Sequence, residues 1–133
     1  MIHALIIAGI LLGIAAICNA AMDVLAFKFK NSIFKNLNHN WWNPAKSWRN
    51  KYKDRMVFKG PAFIGATTLF SFITDAWHLF RFLNNTLITI AFIVIIGALS
   101  TLSIWKLLAL LVILKLIREG VFKAFYKYIF RKK

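Results

Sequence analysis

Long apolar blocks separated by Lys/Arg clusters, with almost no acids between them, constrain this chain more than any other feature. Over residues 4–18 every position is apolar or small, and only Asn19 interrupts the run before Asp23. Further apolar blocks cover residues 63–83, 86–99 and 104–117. The acids are Asp23, Asp54, Asp75 and Glu119, set against 18 Lys and Arg, for a formal net charge of +14. A soluble domain is about half apolar and carries charges of both signs. Here 60% of residues are hydrophobic and the mean hydropathy is +0.66. At 133 residues a soluble core could not hide that much apolar surface. The expected fold is therefore an all-α integral membrane protein with three to four transmembrane helices, forming one membrane domain over residues 1–133. The single cysteine, Cys18, rules out an intrachain disulfide and a thiolate zinc site.

Taken in order, the chain begins with a predicted helix over residues 2–27. No basic region precedes the apolar run, so the block reads as a retained span and not as a cleaved signal. Gly9, Gly13, Ala16 and Ala20 recur at helical spacing and form a small-residue stripe suited to close helix packing. A basic, aromatic, Asn-rich loop follows over residues 28–60. Asn43-Pro44 reads as a helix cap with proline at the first helical position, which predicts a short helix over 44–54. Trp48 and Tyr52 share a face of it. With Trp41, Trp42, Arg49 and Lys51 they form a set suited to the lipid headgroup layer.

Residues 63–83 read as a polar-faced helix, with Thr67, Ser71, Thr74, Asp75 and His78 on one side. Residues 86–99 and 104–117 read as a helical hairpin turning at Ser100-Thr101-Leu102-Ser103. Trp105 would lie at the outer interface. The final stretch, 118–133, reads as an amphipathic helix on the membrane surface, with Lys123 and Lys127 on its basic face. Loop charge sets orientation: the basic loop and the C-terminal tail belong in the cytoplasm and the N-terminus outside. That arrangement needs an odd number of crossings, with the 63–83 helix in the interface or re-entrant.

Asp75 and His78, three apart inside an apolar segment, are the candidate catalytic pair. With Asp23 and His39 they form a candidate set for zinc, manganese or iron, or a general acid/base pair near the headgroups. The favoured reading is structural: Asp75 pairs with a basic residue such as Arg49 or Arg81, His78 donates a hydrogen bond, and the network pins the loop onto the helices. Either no cofactor or a divalent transition metal fits the residues. Anionic lipid is favoured over nucleic acid as the partner of the Trp/Lys loop, because the loop lies beside membrane spans.

The string Asn40-Trp41-Trp42-Asn43-Pro44-x-x-Ser47-Trp48-Arg49-Asn50-Lys51-Tyr52-Lys53, with Thr74-Asp75-x-Trp77-His78-Leu79, resembles a pattern of small uncharacterised membrane proteins of Bacteroidota and their phages. The resemblance implies a bacterial inner membrane or a virion lipid layer, and it transfers no activity. The expected function is a structural, assembly or scaffold role, as a homo-oligomer or with other membrane or capsid proteins. A membrane enzyme with an Asp/His metal site is the alternative. A holin-like pore, similar in composition only, is the third.

Overall fold

The computed structural model describes residues 2–99 and 103–130, and is all-helical apart from turns and one isolated bridge between Tyr52 and Pro61. Helix α1, Ile2–Lys28, has 27 residues and no proline, giving a rod about 40 Å long. After a chain of short turns come α2, His39–Trp42, and α3, Pro44–Ser47. The long helices α4, Ala76–Leu99, and α5, Ile104–Ala124, complete the fold.

Helix α1 is the spine. Its Ala8 and Leu12 pack on Ala91 and Ile95 of α4. Its Ala20, Ala21, Val24 and Leu25 meet Ala76, Trp77 and Phe80 at the other end of α4. The two helices are thus antiparallel. Phe122 of α5, with Phe125 and Phe130 beyond it, joins the same cluster at the C-terminal end of α1, so α5 runs parallel to α1. As a result the loop after α1, the start of α4 and the close of α5 all gather at one end of the bundle. The loop forms a cap there. Trp42 stacks on Phe34 with ring centroids 5.2 Å apart, and Phe34 in turn sits 5.2 Å from Phe130. The Ile33 amide donates to the Phe130 carbonyl at 3.0 Å.

Helices α1 and α4 are long and apolar enough to cross a membrane. Little of that apolar surface is covered: 33% of the α1 window and 17% of the α4 window is buried. Ile6, Ile10, Phe92, Ile93 and Ile96 stand exposed on these helices, as do Val112, Ile113 and Leu116 on α5.

Two expectations are corrected. Residues 63–83 do not form one helix. Turns occupy 64–70, a 3₁₀ turn follows over Ser71–Ile73, and α4 starts only at Ala76. Gly65 adopts φ +81°, and the Phe70 ring lies where a Cβ would stand, 2.7 Å away. This folded-back turn puts the ring over the backbone of Gly65, a contact that only glycine permits without displacement. The second correction is that no break at Asn84 and Asn85 separates the expected 63–83 and 86–99 helices. Helix α4 runs through them into the apolar 86–99 stretch, with Asn84 buried. Of the 118–133 stretch the structure describes residues 118–130. Helix α5 continues through Arg118 to Ala124, closes with a wide π turn over Phe125–Ile129, and Phe130 tucks into the core. The hairpin link at 100–102 and the side chain of Glu119 lie outside the described residues.

Candidate functional site

The cap is built from short capped turns. Asn38 and Asn43 each accept a backbone N–H two residues on, from Asn40 at 2.9 Å and Ala45 at 3.1 Å. Pro44 sits in the first turn of α3, where its missing N–H costs nothing. The expected 44–54 helix is shorter than its pattern suggests: α3 passes into a 3₁₀ turn, Trp48–Lys51, and Tyr52 is extended. From there the chain doubles back. The Ala62 amide donates to the Lys51 carbonyl at 2.8 Å, and the Lys53 amide to the Gly60 carbonyl at 3.1 Å. The excursion between these pairs holds Asp54 and Arg55 at φ +51° and +62°.

Asp75 is the cap of α4. Its Oδ1 accepts the backbone N–H of His78 at 2.9 Å, the third residue of the helix, as a capping carboxylate does. The same carboxylate, only 1% exposed, lies 2.8 Å from His78 Nδ1. On the far side of the ring, Lys51 Nζ is 2.8 Å from His78 Nε2. A lysine ammonium only donates, so Nε2 accepts and the ring proton is on Nδ1, donated to Asp75. The result is a Lys51–imidazole–Asp75 relay joining the cap to α4. Asn50 reinforces it, donating through Nδ2 to the carbonyls of Asn40 at 2.6 Å and Thr74 at 2.8 Å. The Thr74 hydroxyl donates to the Ser71 carbonyl at 2.6 Å. His78 also lines a small pocket of about 190 Å³ with Ser71, Arg81 and Asn85.

The four residues expected to converge do not all do so. Asp75 and His78 meet. His39 is exposed, with Nε2 2.8 Å from the Lys35 carbonyl and its ring edge-on to Phe29. Asp23 lies half-buried within α1. Among the described residues no three His, Cys, Asp or Glu side chains gather as a metal ion would need. Neither arginine pairs with Asp75: Arg49 stacks on Trp48 at 5.6 Å and Arg81 on Trp77 at 5.4 Å.

The aromatic set divides. Trp41 and Trp42 are half-buried against the core, while Trp48 is exposed and sits edge-on to Tyr52 at 6.1 Å. Trp105 is exposed at the start of α5, remote from the cap. Lys123 and Lys127 are exposed near the cap end, Lys127 over the Tyr128 ring at 5.2 Å. The small-residue stripe also divides: Ala16 and Ala20 are buried, whereas a Cβ on Gly13 would meet nothing within 4 Å.

Sequence reasoning missed Asn50 and Arg55. Arg55 donates to Asn40 Oδ1 at 2.6 Å and to the Lys46 carbonyl at 2.8 Å. Nothing in the order of residues marks an arginine for a left-handed backbone, so no sequence signal points to it. No protein-family model, curated protein or solved structure matches this chain.

Proposed function

We propose that the protein is a small integral membrane protein of bacterial or phage origin with a structural or assembly role. Its helices lie in the bilayer and its folded basic cap rests at the cytoplasmic headgroup layer. The observation that carries the reading is the bare apolar surface of α1 and α4, helices of spanning length that cover little of each other. Water would tolerate that surface poorly, and hydrocarbon covers it at no cost. Charge supports the orientation: the cap lysines and Lys123 and Lys127 sit at the same end, as the positive-inside rule favours.

A structural role is favoured over chemistry by the state of the polar residues. The Asp75 carboxylate and both ring nitrogens of His78 are engaged in internal hydrogen bonds that hold the cap. Carbonate extraction of membranes from cells expressing the full chain tests the membrane reading. Retention in the pellet is expected, and release into the supernatant would overturn it. Purified protein with a stoichiometric bound transition metal would overturn the structural role in favour of an enzyme.

A further inference from the structure

The cap carries a second polar feature, apart from the Asp75–His78 relay. A cleft of about 590 Å³ opens beside α3, lined by Asn40, Lys46, Arg49, Asp54, Arg55 and Met56. Its volume falls within the range of small-ligand sites. Three of these side chains are cationic and one is acidic. Asp54 is matched from elsewhere: Lys59 Nζ lies 2.7 Å from its Oδ2. The cleft therefore keeps a surplus of positive charge.

Arg55 is fixed in place. Its Nη atoms donate to Asn40 Oδ1 and the Lys46 carbonyl, and its Nε is buried with no partner among the described residues. Both internal acceptors are neutral, so the guanidinium charge is held but not cancelled. Its backbone and that of Asp54 are left-handed, a conformation that costs energy for residues other than glycine. Asn40 spends its oxygen on Arg55, which leaves its amide NH₂ as a donor. Lys46 and Arg49 are exposed, and Arg49 is oriented by the Trp48 ring. Two planar guanidinium forks and an ammonium around one cleft match the several acceptor oxygens of a phosphoryl group.

We propose that this cleft binds a phosphoryl anion, either the phosphodiester of an anionic lipid or free phosphate. The inference shares the setting of the membrane reading but does not depend on the number of crossings. The full chain, in zwitterionic micelles, is titrated with short-chain phosphatidylglycerol, short-chain phosphatidylcholine and inorganic phosphate, and binding is followed by calorimetry. Saturable binding of phosphatidylglycerol or of phosphate is expected; whichever binds more tightly identifies the source. The double variant Lys46→Gln/Arg49→Gln should weaken that binding on the order of tenfold or more. Neither side chain donates an internal hydrogen bond among the described residues, so the cap should keep its circular dichroism and its hydrogen-exchange protection. The double variant Lys123→Gln/Lys127→Gln removes equal charge away from the cleft and should leave affinity within about twofold. No saturable binding, equal binding of phosphatidylcholine, or equal loss in the two double variants would overturn the site. A failure of this kind leaves the carbonate-extraction result untouched, so the two readings fail separately.

Discussion

Asp75 accepts hydrogen bonds from two directions, the first turn of α4 and the imidazole of His78. Asp75→Ala should therefore cost more than a cap alone. Loss of the cap is worth about 1 kcal/mol, and stranding buried donors adds about 1–3 kcal/mol. The relay adds a coupled prediction. Lys51→Met should destabilise the protein by about 1 kcal/mol when His78 is intact and by a few tenths when His78 is already glutamine. Unfolding in micelles followed by circular dichroism gives both values, and additive effects would mean that the Lys51–His78 bond carries no stability. The sequence made Asp75 and His78 neighbours through helical spacing, and they are neighbours. The reason differs, because the pair straddles a helix start. The rule that read Asn43-Pro44 as a cap applies equally to Asp75, but the apolar residues upstream of it masked the boundary.

That boundary matters at the scale of elements. Apolar residues over 63–73 do not by themselves specify a helix: Phe63, Ile64, Leu69, Phe70 and Ile73 stand exposed on turns, and a short apolar run is compatible with more than one backbone conformation. Gly65 decides between them. Gly65→Ala should cost about 1–3 kcal/mol, from its positive φ and from the Phe70 ring that must move. Hydrogen exchange should rise over the turns before α4 and stay unchanged within α1; a uniform rise would indicate global damage instead. The packing of α1 on α4 gives a contrasting pair. Ala91 is fully buried against Ala8 and Leu12, so Ala91→Leu should cost about 1–3 kcal/mol by overpacking. Gly13→Ala should be neutral or stabilise by up to about 1 kcal/mol, because its surroundings are open. The small-residue stripe was legible as a pattern, but which of its members touch α4 depends on helix rotation, and spacing leaves that free.

For the molecule as a whole, the antiparallel course of α1 and α4 and the parallel course of α1 and α5 put the cap and the close of α5 at the same end. In a Cys18→Ser background, single cysteines at Lys30 and Lys127 should react with an impermeant maleimide from the same side of the membrane. A cysteine at Ile2 should react from the opposite side. Labelling of the first two from opposite faces would contradict this arrangement. The all-helical class was readable from apolar blocks and charge; the closing of a cap over the bundle end was not, because it rests on contacts between distant residues such as Ile33 and Phe130.

That last contact has a consequence for how the molecule is made. Chains emerge from the ribosome N-terminal part first, and domains fold as their parts become available. Helix α1 and the turns of the cap exist long before Phe130 does, yet Ile33 has its backbone partner, and Phe34 the second of its two ring partners, only in the segment beyond α5. Until α5 has emerged and docked, the cap lacks its floor. Closure of the cap is then a late event in biosynthesis, and it registers that both flanking helices have reached their places.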